Sequence, residues 1–333
     1  MSAYNWDAVR EDLARVSGEE IQSQREASND TPLTAAEFLS KEIAARERII
    51  APWQPDKGLV MIYSPRGVGK TLLGLTSAYA TAAAVEFLKF SVEKPRKVLY
   101  VDGEMPAKVM QERLATIVKA FPKQPPSNEH FRILLSDLAE FGLPDLATDE
   151  GQAWMDKRVG DADVIYLDNI STLVRSGKEN EAEGWLPVQH WALSHRRAGR
   201  SMIMLHHAGK GGAQRGTSRR EDVLDTVISL RRPSDYRPDQ GARFELHFEK
   251  ARGFYGDDAR PFEASYEVCE GGAVWTRKEL VDAERARVLA ALKDGMSIRE
   301  AADSLGIHRS KVDRLRKKAI AEGDLTIAET AEE

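Results

Sequence analysis

From about residue 58 to 232 the chain alternates short, almost wholly apolar runs with longer amphipathic stretches. The runs are GLVMIYS (58–64), KVLYVDGEM (97–105), FRILLSD (131–137), DVIYLDN (163–169), SMIMLHH (201–207) and DTVISLR (225–231), and they predict strands. GKTLLGLTSAYATAAAVEF (69–87), PAKVMQERLATIVKAF (106–121) and the region 181–199 predict helices between them. Strands that are apolar at nearly every position are buried on both faces. The alternation therefore implies an α/β fold, a mostly parallel sheet flanked by helices on both sides. ARFELHFEKARGF (242–254) and RPFEASYEV (260–268) alternate more strictly and predict an antiparallel β extension.

The ends of the chain follow other patterns. Residues 1–45 are polar, with short helical patterns in DAVREDLARV and TAAEFLSKEIAAR around the loose stretch SQREASNDTP. They read as a tethered arm and a candidate subunit contact. Residues 280–322 are charged and helical, and IAETAEE closes the chain. The expected organisation is an arm (1–45), an α/β core (46–278), a small all-α domain (279–323) and an acidic tail (324–333).

Composition narrows the classes. A single cysteine, Cys269, excludes an internal disulfide framework and fits a reducing cytoplasm. The start, MSAYNWDAVREDLARV, has no uninterrupted apolar stretch, so neither a signal peptide nor a membrane partner is expected. A net charge of −5 means that contact with nucleic acid must come from local basic patches.

The most informative stretch is SPRGVGKT, which follows the first predicted strand and opens a long alanine-rich helix. It matches the phosphate-loop pattern G-x-x-x-x-G-K-[ST] except that Ser64 stands where the first glycine is usual. In such a loop, backbone N–H groups from Ser64 through Arg66, Gly67, Val68, Gly69, Lys70, Thr71 and Leu72 surround the phosphates of ATP at a helix N-terminus. Lys70 reaches the β- and γ-phosphates, and the Thr71 hydroxyl holds Mg²⁺. A small serine before Pro65 is a tolerable opening for the turn. DVIYLDN supplies Asp168 at a strand end as the acidic partner of the metal. KVLYVDGEM supplies Asp102 and Glu104 at the carboxyl end of another strand. Glu104 is the favoured residue to orient the attacking water, with Asp102 more structural.

Taken together, SPRGVGKT, VDGEMPAKVMQERL, VIYLDN and MLHHAGKG…RGTS resemble the RecA-like ATPases of the RepA-type hexameric helicase family, over roughly residues 45–275. The resemblance implies a RecA-like P-loop NTPase core and Glu104 as the catalytic glutamate. It also implies a histidine beside the γ-phosphate at the end of SMIMLHH. Adjacent strand residues face opposite ways, so His206 and His207 cannot both serve, and His206 is favoured. The loop 208–220, with Lys210, Arg215, Arg219 and Arg220 among glycines, suits a contact with nucleic acid or with a neighbouring subunit. Lys250 and Arg252 project from one face of a strand. In DnaB-like and related hexameric helicases, a K-x-R at this place reaches the γ-phosphate held by the next subunit. That likeness implies a ring-shaped homo-oligomer, expected to be a hexamer.

IREAADSLGIHRSKVDRL fits a helix-turn-helix. Ala302 suits a close helix crossing and Gly306 a left-handed turn, while Ala301, Leu305, Ile307, Val312 and Leu315 form a small core. The second helix, about 308–319, carries Arg309, Lys311, Arg314, Arg316, Lys317 and Lys318 against the single acid Asp313. It is expected to enter a DNA major groove with His308, Arg309, Ser310 and Lys311 near the bases. The leading expectation is an ATP-hydrolysing DNA motor of a mobile element, with single-stranded DNA in the ring and duplex on the helix-turn-helix. An ATP-switched regulator or replication loader that does not unwind DNA is the alternative, and a recombinase-like filament is a third.

Overall fold

The computed structural model describes residues 32–175, 182–208, 221–322 and 324–325. The chain divides into two compact units at Arg46/Glu47. Among the described residues of the first, Ala35–Ser40 (α1) is helical, with Thr34 and Glu37 forming a reciprocal capping box. The helix expected over 34–46 stops early, because six residues with no buried side chain have little but the cap to hold them.

The second unit is built on a nine-stranded sheet. Its strands are Leu59–Ser64 (β3), Val98–Asp102 (β4), Phe131–Leu135 (β5), Val164–Asp168 (β6), Ser201–His207 (β7), Thr226–Arg231 (β8), Ala242–Ala251 (β9), Phe262–Cys269 (β10) and Gly272–Glu279 (β11). Arg48–Ile50 (β1) and Gln54–Pro55 (β2) form a separate two-stranded pair. The order across the large sheet is β11-β10-β9-β8-β3-β7-β6-β4-β5. Pairing is parallel from β8 through β5 and antiparallel from β8 through β11, so the expected mixed α/β architecture is the one observed.

Alternate residues of the central strands feed two cores. Val60, Ile62, Val98, Tyr100, Val164, Tyr166, Ile203 and Leu205 pack on one side with Lys70–Ala83 (α2) and Ala107–Ala120 (α3). Leu59, Met61, Leu99, Val101, Ile165, Leu167, Met202 and Met204 pack on the other with Asp149–Val159 (α4), Ile170–Leu173 (α5) and Ala182–Arg197 (α6). This two-sided burial is why the strands read as continuous apolar runs.

Almost all of α2 is buried, because the antiparallel extension covers it as well. Trp275 Nε1 on β11 donates to Thr76 Oγ1 at 3.0 Å. The small residues of α2 permit the approach to the sheet: a Cβ at Gly74 would stand 2.7 Å from Leu205 Cδ2. The helix ends at Ala83, short of the expected residue 87, where Ala84 turns left-handed at φ 50°. Helix α4 and strand β11 were not expected from the sequence. In α4 only Gly151, Met155 and Val159 are buried, too few to mark an apolar stripe.

The C-terminal helices are Leu280–Lys293 (α7), Ile298–Leu305 (α8) and Arg309–Glu322 (α9). Ala301, Ala302, Val312 and Leu315 are buried in their shared core, and Leu305 and Ile307 pack against it. Gly306 closes α8 at φ 64°, the left-handed turn expected of a helix-turn-helix. Ser297 and Glu300 cap α8 reciprocally: Glu300 N donates to Ser297 Oγ at 3.2 Å and Ser297 N to Glu300 Oε2 at 2.9 Å. Ser297→Ala is expected to cost about 1 kcal/mol of stability, whereas Ser297→Asp, which keeps the acceptor, should cost little. Urea unfolding of the full chain measures the difference.

Candidate nucleotide and nucleic-acid sites

The nucleotide site forms at the carboxyl ends of four strands. In the sheet register Ser64 pairs with His207, and Asp102 pairs with Asp168. All four continue the strand positions whose side chains pack beneath α2, so they face that helix. Helix α2 begins at Lys70 with Gly69 as its N-cap and no side-chain cap. Its first N–H groups are therefore left for an anion. Between them lies a cavity of ≈ 350 Å³, lined by Arg66, Gly67, Gly69, Lys70, Thr71, Leu72, Asp102, Glu104, Asp168 and His207 among others. Ser64 and Val68 are buried behind it.

Gly69 is required by both conformation and space. Its φ is +126°, and an added Cβ would stand 3.0 Å from Ala242 Cβ and 3.1 Å from Phe244 Cε1 on β9. The missing first glycine also has a structural reading. Ser64 Oγ donates to Pro65 O at 2.7 Å and accepts from Lys70 Nζ at 3.1 Å. Serine here anchors the lysine as well as opening the turn.

Lys70 is 6% exposed. Its ammonium also reaches Ser64 O at 3.2 Å, Pro65 O at 3.3 Å and His207 Nδ1 at 3.2 Å. Burial lowers its pKa to about 8, against the pull of the Asp168 and Glu104 carboxylates. Asp168 is buried and accepts from Tyr100 Oη at 2.8 Å and from the Thr71 hydroxyl. Burial raises its pKa, opposed first by the Thr71 hydrogen bond. The hydrogen-bonded oxygens of Thr71 and Asp168 are hard donors of the kind that could hold a Mg²⁺ ion. Among the described residues no cluster of three or more His, Cys, Asp or Glu side chains could hold a metal by itself.

Asp102 takes the structural part expected of it. Its Oδ1 accepts from Glu104 N at 2.9 Å and Met105 N at 2.6 Å, folding the turn after β4. Burial, then the charge of Asp168, raises its pKa to about 6. Glu104 is left half exposed at the cavity. Its Oε2 accepts from Asn169 Nδ2 and lies 3.5 Å from His207 Nε2. Because Lys70 donates to His207 Nδ1, the imidazole proton sits on Nε2, toward Glu104. Burial, then the Lys70 charge, lowers the His207 pKa.

This arrangement corrects the expectation for His206. That residue is fully buried on the opposite face, with Nδ1 3.4 Å from Ser171 Oγ, and does not line the cavity. His207 occupies the place beside Lys70 and Glu104. Strand β7 is apolar on both faces, so periodicity alone does not say which side α2 covers. Arg113 and Met105 also line the cavity, and Arg232 reaches its rim by donating to Gly67 O at 2.9 Å. Met105 and Arg113 lie within the VDGEMPAKVMQERL stretch without having been singled out, and no motif marks Arg232.

Lys250 and Arg252 lie far from this cavity. Lys250 pairs with Val227, and Val227 with Met61, three residues before the end of β3 and about 10 Å along the strand. Arg252 N donates to Asp225 O at 2.9 Å, and Asp225 N to Leu59 O, at the amino end of the parallel strands. Both side chains bond the backbone of the 221–222 segment: Lys250 to Glu221 O, and Arg252 to Asp222 O at 3.1 Å. The structure does not bring them to the phosphate loop of their own chain. Lys210, Arg215, Arg219 and Arg220 lie outside the described residues.

In the helix-turn-helix, Arg309 and Arg314 are exposed, and Lys317 pairs with Asp313 within α9 at 2.7 Å. Two residues depart from the expected base-reading set. Lys311 Nζ turns back to Glu284 on α7 at 2.8 Å, so it ties two helices together. His308 Nδ1 accepts from Ser310 N at 3.3 Å and pairs with Ser310 Oγ at 2.7 Å, capping α9.

An AAA domain matches residues 23–213, more than half of the chain. The chain belongs to the AAA domain family. A homeodomain-like domain matches residues 279–326, the region of α7 to α9. This AAA domain protein is thus a P-loop ATPase core joined to a domain of a kind that suggests DNA binding. No curated protein sequence matches it significantly. Among solved structures it is similar to a KaiC-like protein from the hyperthermophilic archaeon Pyrococcus horikoshii OT3, at 16% identity and a TM-score of 0.48, covering 69% of this chain and 94% of that one. No helix among the described residues is long and apolar enough to cross a membrane.

The lysine titration has a measurable consequence for the AAA domain. Phosphate binding uses charged Lys70, whose pKa in the free protein is about 8. Deprotonation above that pH removes the binding form. The affinity for an ATP analogue should then fall by up to about tenfold per pH unit above 8 and stay flat between pH 6.5 and 7.5. Fluorescent-nucleotide titration across this range tests it.

Proposed function

We propose that the protein is an ATP-hydrolysing, DNA-binding motor that works as a ring with active sites between subunits, a replicative helicase of the RepA type. The observation that carries the reading is the Glu104 carboxylate, held by Asn169 and His207 across one cavity from Lys70, Thr71 and Asp168. Thr71 and Asp168 would hold a Mg²⁺ ion, which would supply positive charge against the phosphates of ATP. Lys70 and the N–H groups opening α2 bind the phosphates. Glu104 orients the attacking water and accepts its proton, while Asn169 restricts the carboxylate's rotation. His207 bridges Lys70 and Glu104, so contact between phosphate and Lys70 is felt by the base.

Transition-state charge calls for a further cation, which Lys250 and Arg252 would donate to the neighbouring subunit. Lys250 lies level with the middle of β3 and Arg252 near its amino end, away from their own phosphate loop, which supports a role in trans. The exposed Arg309 and Arg314 support duplex contact by α9. Single-stranded DNA in a hexameric ring and contact with replication proteins complete the proposal. An ATP-switched regulator that binds duplex without unwinding it uses the same parts and is separated by a fork substrate.

Glu104→Gln should keep nucleotide binding and lower ATP turnover by about 10²–10⁴-fold. Wild type should unwind a forked duplex, and Arg252→Ala should not. Mixing Arg252→Ala with Lys70→Ala should restore part of the activity, because some interfaces then combine an intact cradle with an intact finger. Full turnover by an isolated monomer would overturn the ring. ATP-dependent duplex binding without unwinding would favour the regulator.

A further inference from the structure

The turn between β8 and β9 connects two regions that the reaction scheme leaves separate. At one end, Arg232 Nη2 donates to Gly67 O at 2.9 Å, at the apex of the phosphate loop. In a trans peptide the carbonyl and the following N–H point in opposite directions. Pinning the Gly67 carbonyl outward therefore turns the Val68 N–H the other way, toward the phosphate side. Gly67 stands at φ +75°, a conformation glycine holds weakly by itself, so an external clasp has something to fix.

The clasp is braced. The Arg232 guanidinium stacks on the Tyr236 ring, 3.6 Å from its centroid. Tyr236 N donates to Pro233 O at 3.1 Å, and Tyr236 Oη to Gly241 O at 3.0 Å, at the start of β9. Between them, Asp235 reaches Arg243 Nη2 at 3.1 Å and Arg287 Nη1 at 3.5 Å. Arg287 belongs to α7, inside the homeodomain-like region, yet its side chain is only 9% exposed. It lies among sheet carboxylates, also 3.3 Å from Glu245 and 3.5 Å from Glu263. Glu263 in turn receives Arg243 Nε at 2.9 Å. Two guanidinium groups and three carboxylates thus share one largely buried cluster. Such a cluster keeps its geometry because displacing any member leaves a charge without its partner. Arg243 sits on β9 between Ala242 and Phe244, the two residues that back Gly69.

We propose that Arg232 and Arg287 are positioning residues for the phosphate loop. Arg232 sets the Gly67 peptide directly. Arg287, from the C-terminal domain, sets it through Asp235 and Tyr236. The nucleotide cradle is completed by the helix-turn-helix domain of its own chain, and a displacement of α7 reaches the loop through this turn. The inference rests on the ATPase reading above.

The test uses the full chain and a fluorescent ATP analogue, with steady-state ATPase alongside. Arg232→Ala should raise the analogue Kd by about tenfold, the loss expected for one charge-assisted hydrogen bond. Arg287→Ala should raise it in the same direction by at least about threefold, although no atom of Arg287 lines the cavity. The double variant should bind no worse than Arg232→Ala alone, since both changes act on one path. KM for ATP should rise in each case while kcat stays within about twofold, because the lost contact acts on binding. Asp235→Asn, which keeps the shape and removes the charge, repeats the Arg287 measurement and decides the matter if Arg287→Ala does not fold. An unchanged Kd in both Arg287→Ala and Asp235→Asn, with only the melting temperature lowered, overturns the proposal. So does a double variant whose effects multiply. Wild type that binds no nucleotide overturns the ATPase reading and this link with it, whereas tight binding by wild type and variants alike overturns the link alone.

Discussion

A buried ammonium group without a carboxylate in contact is the constraint around which this molecule is arranged. Lys70 is almost fully enclosed, and its hydrogen-bond partners are two carbonyls, a hydroxyl and an imidazole nitrogen, all neutral. Protein interiors tolerate a charge in such a place only at a cost, visible in the lysine's lowered pKa. Asp168 and Glu104 act on it from farther away and are turned toward other partners. The cation is therefore held ready for an anionic ligand, and the strand ends, the turn after β4 and the start of α2 serve that readiness.

Strand parity converts this constraint into a site. Because successive side chains leave a strand on opposite faces, one residue at each of four strand ends meets α2. The same rule sends His206 to the far side, against Ser171, and brings His207 to Lys70. Asp102 is spent on the backbone of the turn, which carries Glu104 out to the cavity and leaves its carboxylate to Asn169 and His207. Two acids two residues apart thus take different work.

The antiparallel extension contributes more than area to the sheet. Ala242 and Phe244 stand where a side chain at Gly69 would be, and Trp275 hydrogen-bonds α2 from its outer side. Arg243 faces the opposite way from them, into the ion cluster with Arg287. The strand that backs the phosphate loop is therefore also the strand on which the C-terminal domain is seated. Surface ion pairs contribute little to such seating, and the enclosure of this cluster is what distinguishes it from pairs such as Lys94–Glu47, where both partners are half exposed.

Much of this was legible in the residues themselves. The parallel strands announced themselves because a strand covered on both faces must be apolar throughout. The phosphate loop, Asp168 and Glu104 followed from local spacing, and Gly306 with Ala302 marked the helix-turn-helix, since a left-handed turn and a close crossing each demand a particular residue. Helix α4 was silent because it buries few side chains, and α1 was overestimated because none of its own side chains is buried. What the chain alone determined was every feature whose physical cause lies within a few residues. The choice of His207 over His206, the contact of Lys311 with Glu284, the reach of Arg232 to Gly67 and the seat of Arg287 were decided only by tertiary structure. Each depends on which face another element covers, or on a partner 24 to 165 residues away, and local spacing carries no record of either.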